Sequence, residues 1–329
     1  MIMENQNKTM QVELINYLPN IGIDNVKQEI LDGLNSIPKY ISPKFFYDGK
    51  GSELFEQITK LDEYYPTRTE KSIIRDKVKD LSIDFENLNI VELGSGDSSK
   101  ISLLLEQIPE QHIHTINYFP VDISKSAIEK STNDLQAKFP LKSITGVVVD
   151  FFHQMHLIPK TGRRLFCFFG STIGNFDKKQ SKDFISALGR SMQQGDMLLI
   201  GMDLVKNIDV LEAAYNDKKG ITAMFNTNIL NVVNNLSGSD FNENDFEHYS
   251  FFNTKESRIE MHLRAIKDVE LSYDTETIKI HKGELIHSEN SHKFTPKDID
   301  AIANWAGIDK IKSLTDSNEW FSLNFFVKP

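Results

Sequence analysis

Glycine and carboxylate positions recur in this chain where a twisted sheet would present them to a ligand. In VELGSGDSSK, Gly94 and Gly96 follow a strand-like run and precede a helix-like one. Glycines there let the backbone approach a ligand, and the free N–H groups of the helix start suit an anion. A dinucleotide fingerprint would want a third glycine where the chain has Ser99. The turn therefore favours a smaller anion, such as the carboxylate of S-adenosylmethionine, although taken alone it fits a plain structural turn as well. Asp122 closes the run YFPVD and Asp150 closes VVVD. Ligands of open α/β sheets bind outside the carboxyl ends of the strands. Asp122 then faces ribose hydroxyls and Asp150 the exocyclic amine of adenine, with Phe151 against the ring and Lys100 reaching for the methionine carboxylate. One such aspartate is commonly just a cap or turn former; two after consecutive strands, beside a glycine turn, favour a nucleoside.

The stretch FCFFGSTIGNF carries the other half of the chemistry. Its aromatic run reads as a strand buried on both faces, and the small residues after it leave the backbone bare beside the methyl-donor position. Asn175 has one acceptor and two donors, a set suited to the ammonium and carboxylate of an amino acid. It stands too early to cap the helix SKDFISAL; Asp177 or Ser181 fits that cap better.

These residues need a sheet to hold them. From residue 89 strand-like and helix-like runs alternate through NIVEL, HTINYFPVDIS, SITGVVVDF, RRLFCFFGS and DMLLIGMDLV. Such βαβ alternation means a parallel, doubly wound α/β sheet. A helix is expected to open at Ser52, and another is capped by Thr67 or Thr69. After about residue 206 the alternation stops, and the chain reads as helical and then extended. The tail reads as a helix and a two-stranded hairpin on the far edge of the same sheet. The expected organisation is residues 70–205 plus 294–329 for the doubly wound domain, and 1–69 plus 206–293 for a second, discontinuous α+β domain.

The totals exclude other classes. The chain has 329 residues, 40% of them hydrophobic and 26% charged, as in an ordinary globular protein. A net charge of −10 with no Lys/Arg run argues against nucleic acid. The lone cysteine, Cys167, allows neither an internal disulfide nor a cysteine metal cluster. A reducing cytoplasm is the expected location. The polar start lacks the apolar core of a secretory signal, and apolar runs stay at strand length, so no membrane span is expected. A monomer is favoured.

In order along the chain, KFFYDGKGSELFEQIT, EYYPTRTE, ELGSG, FFGSTIGNF, DLVK, AAYND, GITAMFN, FEHYSFFN and RIEMHLRA resemble the S-adenosylmethionine-dependent histidine Nα-methyltransferases of ergothioneine biosynthesis. The resemblance runs from about Tyr17 to the C-terminal strands. It implies a Rossmann-like class I methyltransferase domain, a substrate-binding domain, and stepwise trimethylation of the α-amine of L-histidine to hercynine, with S-adenosylhomocysteine as by-product. Residue by residue it implies that Gly94, Lys100, Asp122, Asp150 and Phe151 hold the methyl donor. Asn175 and Tyr215 then hold the substrate's carboxylate and amine, Gly170 approaches the substrate through its backbone, and Tyr64 contacts the imidazole. Tyr47 lies near the amine as a candidate proton relay. Glu289, Asn290 and Ser291 match the imidazole pocket, with Met261 as its wall. Glu289 and Ser291 set the choice of substrate, since a site built to hydrogen-bond a polar ring rejects an apolar one. His287 and His292 flank this segment and are expected at the surface rather than on a metal, and no metal is called for.

The chemistry asks little of acid–base groups. An amine attacks a sulfonium methyl in line, and alignment alone can supply roughly 7–11 kcal/mol. An α-amine with a pKa of about 8 is partly neutral near physiological pH. Phe46, Tyr47, Phe55 and Tyr64 are expected to line the space where a quaternary ammonium grows. Alternatives are an Nα-methyltransferase of the same fold acting on another amino acid, such as a tryptophan derivative, and a non-catalytic protein binding S-adenosylmethionine or an amino acid.

Overall fold

The computed structural model describes residues 10–18, 23–273 and 276–329. Its strands, in chain order, are β1 Gln11–Asn16, β2 Lys39–Tyr40, β3 Asn89–Leu93, β4 Asn117–Asp122, β5 Ser143–Val148, β6 Arg164–Phe168, β7 Met197–Asp203, β8 Phe246–Asn253, β9 Arg258–Ala265, β10 Val269–Tyr273, β11 Glu276–Ile280, β12 Leu285–His292, β13 Asp309–Thr315 and β14 Phe321–Val327. Eight of them form one sheet in the order β1-β5-β4-β3-β6-β7-β14-β13. The first six run parallel; β14 is antiparallel to β7 and β13 antiparallel to β14. Strands β3, β6 and β7 are buried along their whole length, the mark of strands covered on both faces. Alternate residues of β6 enter opposite cores: Leu165 and Cys167 pack with Ile74 and Leu104, while Phe166 and Phe168 pack with Phe184 and Ile302. The strand order reverses between β3 and β6, so their carboxyl ends open on a crevice.

A four-stranded sheet, β2-β12-β9-β8, and the hairpin β10-β11 stand apart from this one. They share a third core that includes Ile30, Phe46, Tyr65, Phe225 and Met261. Among the described residues, no helix is long and apolar enough to cross a membrane.

Three local expectations change. Residues 11–16 were grouped with the second domain, yet β1 extends the large sheet by pairing in parallel with β5. The pairing is long-range, and the short alternation QVELIN does not announce its partner. The helix Tyr65–Lys77 begins before Thr67 because Pro66, in its first turn, is preset for a helix start. The helix Gly49–Ile58 begins before Ser52, capped by Asp48, whose carboxylate accepts from the Gly51 N–H.

Two backbone stitches join the sheets. Phe294 N–H donates to the Asp203 carbonyl at 2.8 Å, and Val205 N–H donates to the Phe294 carbonyl at 3.0 Å. The chain leaving β12 is thereby laid against the chain leaving β7.

Candidate active site

The glycine turn after β3 is bent by Gly94 at φ +71°, where an added Cβ would meet nothing within 4 Å. The turn is therefore open, a cradle that a ligand can enter. Asp122 ends β4 beside it. One of its oxygens accepts from Ser124 N–H at 2.8 Å and the other from Gly96 N–H at 3.4 Å, and burial raises its pKa. Asp150 caps the short helix Phe151–Gln154 by accepting from Phe152 N–H at 3.0 Å, and its second oxygen lies 2.7 Å from His153 Nδ1. It is a cap, as such aspartates usually are, though each carboxylate oxygen keeps a further lone pair. Phe151 is half-buried, edge-on to Phe168.

Lys100 enters the same crevice, where its ammonium lies 2.8 Å from Glu70. Glu70 is fully buried and also takes the Gly170 N–H on both oxygens, at 2.9 and 2.8 Å. Gly170 itself has φ +79°, and a Cβ there would stand 3.0 Å from Lys100 Nζ. Sequence reasoning missed Glu70. The available signal was an acid on the apolar stripe of a helix, one turn before Ile73 and Ile74.

Across the crevice β12 presents its inner face. Glu289 and Ser291 are two apart and both buried, so they point the same way. Met261 is paired directly with Glu289 on β9 and is 2% exposed, which makes it the neighbour on that face. Asn175, at the end of the turn after β6, donates to Glu289 Oε1 at 3.2 Å. Tyr215 donates to Ser291 Oγ at 2.7 Å. Asn175, Glu289, Ser291, Tyr215 and Met261 thus come together. Asn290 does not: it faces the other side of the sheet, where its carbonyl oxygen lies 2.8 Å from His287 Nε2. His292 is likewise half-buried, with Nδ1 at 3.0 Å from the Gly174 carbonyl. Neither histidine lies free at the surface.

Aromatic rings close the remaining side. Tyr64 meets Tyr215 and Phe55 edge-on at 6.2 and 6.3 Å, and Phe55 meets Tyr47 at 6.0 Å. Tyr47 is 49% exposed and forms the rim. Phe46 is buried and stacked on Phe225 at 4.5 Å, so it belongs to the core and lines nothing.

Behind Ser291 lies an ionic chain that sequence reasoning also missed. Lys293 donates to Ser291 Oγ at 2.7 Å and pairs with Asp203 at 2.8 Å. Asp203 also binds Lys206 at 2.5 Å and accepts from the Tyr65 hydroxyl at 2.8 Å. Burial works to raise the Asp203 pKa, but Lys293 and Lys206 outweigh it and hold the carboxyl below its usual range. Burial pushes Glu289 up to about 7, with Lys293 partly opposing. The same effect brings Lys206 down to about 8, against the pull of Asp203.

A parallel sheet with one antiparallel strand near its edge, a glycine turn after β3 and an acid at the end of β4 define a class I S-adenosylmethionine-dependent methyltransferase. The profile of the histidine-specific, S-adenosylmethionine-dependent methyltransferases matches residues 26–328. The chain is 38% identical to the histidine N-alpha-methyltransferase of Mycobacterium tuberculosis over 97% of its own length and 100% of the relative's. It is 37% identical to the enzyme of that name from Mycolicibacterium smegmatis, with the same coverage. The ergothioneine biosynthesis protein 1 of Neurospora crassa is 27% identical over 96% of this chain and 36% of that much longer one. The chain belongs to the histidine-specific, S-adenosylmethionine-dependent methyltransferase family.

Proposed function

We propose that this enzyme transfers methyl groups from S-adenosylmethionine, one after another, to the α-amine of L-histidine, giving hercynine as in ergothioneine biosynthesis. One observation carries the reading. A buried carboxylate and a hydroxyl stand side by side on β12, and the carboxylate is tied to Asn175 at the donor end of the sheet. That pair suits an imidazole edge and leaves an indole's apolar edge with unpaired polar groups.

The donor supplies an electrophilic methyl group. Gly94 leaves room for it, Asp122 takes its ribose hydroxyls, Phe151 lies against its adenine, with Asp150 at the amine, and Lys100 meets its carboxylate. Asn175 and Tyr215 orient the substrate's carboxylate and amine, Gly170 flanks them, and Tyr64 meets the ring. The nitrogen lone pair forms the new N–C bond as the C–S bond breaks, and sulfur keeps that electron pair. After the first and second transfers a proton leaves the nitrogen toward the half-exposed Tyr47 and solvent; the third leaves a quaternary ammonium with no proton to lose. Proximity to the sulfonium favours the neutral amine, so alignment rather than a strong base does most of the work. Phe55, Tyr47 and Tyr64 present faces that tolerate the growing cation. One chain supplies both halves of the site, so the reading requires only a monomer. The buried Cys167 and acidic charge suit a reducing cytoplasm.

Mass spectrometry after incubation with S-adenosylmethionine and each of the twenty amino acids tests this. Histidine should gain one, two and then three methyl groups. Methylation of another amino acid instead, or no S-adenosylhomocysteine from any, overturns it.

A further inference from the structure

The hydrogen-bond count around Lys293 fixes the form of ring that the pocket accepts. The Lys293 side chain is 0% exposed. Its ammonium has three N–H donors and no acceptor. All three have partners: Asp203 at 2.8 Å, Ser291 Oγ at 2.7 Å and the Tyr215 hydroxyl at 3.3 Å. The phenol, the stronger acid of the two hydroxyls, donates to Ser291 at 2.7 Å. Both lone pairs of Ser291 Oγ are thereby filled. Its own proton is left over, and among the described residues it meets no acceptor. Glu289, two residues back on the same face, gives one oxygen to Asn175 at 3.2 Å and leaves the other uncommitted.

We propose that Lys293 is a positioning residue that makes Ser291 a donor only, so that the pocket takes the substrate's imidazole in its neutral form, with the ring's lone pair toward Ser291 and its N–H toward Glu289. The inference rests on the reading of histidine as substrate and specifies its protonation state. An imidazolium has two N–H groups and no lone pair. It would aim one of them at a filled hydroxyl with an ammonium behind it. The other charged or titratable groups facing this corner are Asp203 and Lys206 at the end of β7, Tyr65 and Tyr64 at the start of their helix, and Tyr47 at the rim. His292 turns away to the Gly174 carbonyl. Protonation of Glu289 removes an acceptor for the ring N–H of both ligands, so their comparison is what separates it from protonation of the imidazole.

The test is calorimetry on the full chain saturated with S-adenosylhomocysteine, titrated with L-histidine and with triazolylalanine, whose ring stays uncharged in mild acid. Between about pH 7.5 and about pH 5.5 the neutral fraction of a ring of pKa about 6.5 falls about tenfold. Histidine affinity should fall about tenfold more than that of the triazole. Lys293→Met should shrink this differential below about threefold, and Lys293→Arg should restore it. Parallel losses for the two ligands in the native enzyme, or a full differential in Lys293→Met, overturn the proposal. If Lys293→Met does not fold, the native comparison alone decides. Absence of histidine binding at the higher pH, with S-adenosylhomocysteine still bound, removes the substrate reading itself and this inference with it.

Discussion

Glu289 should make the ligand-free protein less stable as pH rises, and Glu289→Gln should cancel the effect. The carboxyl is 9% exposed, and burial raises its pKa from 4.5 to about 7. The folded state therefore holds this proton more tightly than the unfolded state does. Well below pH 4.5 both states are protonated and nothing is lost. As pH climbs toward 7 the unfolded chain ionises first, which favours unfolding; above about 7 the whole penalty applies. A shift of about two and a half units corresponds to about 3 kcal/mol. Glutamine keeps the shape and the acceptor for Asn175 but cannot ionise. Urea denaturation at about pH 5 should place the two proteins within about 1 kcal/mol of each other. At about pH 8 the variant should be the more stable by about 3 kcal/mol, with unchanged urea dependence. The same difference at both pH values would show that Glu289 ionises normally, and the case for a strained carboxylate waiting for a partner would fail.

Asn175→Ala should weaken histidine binding by roughly ten- to a hundredfold, since it removes the proposed substrate contact and the donor to Glu289. Donor binding by calorimetry should stay within about twofold, and equal loss of both ligands would contradict the assignment. Gly94→Ala forces a side chain into a left-handed backbone position, at about 1–2 kcal/mol of stability. It also fills the open cradle, so S-adenosylmethionine affinity should drop at least about tenfold; an unchanged affinity would move the donor elsewhere. Gly201→Ala would set a Cβ 2.0 Å from Glu70 Oε1. It should cost about 1–3 kcal/mol in a denaturation curve and weaken the donor by releasing Lys100 and Gly170; preserved donor affinity would separate Glu70 from that role.

Strand–helix alternation made the large sheet legible, because the covered strands β3, β6 and β7 are mostly apolar and bounded by turn residues. The edge strand β1 was not legible, since all but one of its residues are exposed and its partner lies far along the chain. Gly94 and Asp122 could be placed from the ends of their strands alone. Glu289 and Ser291 could not; HSENSHK looks like an exposed polar stretch, and only the resemblance picked them out. The tie from Asn175 to Glu289 spans 114 residues, beyond any local pattern. Lys293 had a signal that went unread: Glu289, Ser291 and Lys293 repeat at every second residue, the spacing of one strand face. Asp203 had another, as an acid at the carboxyl end of β7 like the one ending β4 and the one just after β5.

The pairing of Phe294 with the chain beside Asp203, reinforced by the buried Lys293 ion pair, acts as a closed hinge. On the proposed reading, the strand that would grip the ring cannot swing away from the sheet that would hold the methyl donor without breaking both. The half-exposed Tyr47, edge-on to Phe55 and Phe225, lies outside this seam. Under the proposed function, a ring fixed at this seam leaves the amine as the part that changes, and one molecule can stay seated through successive methylations.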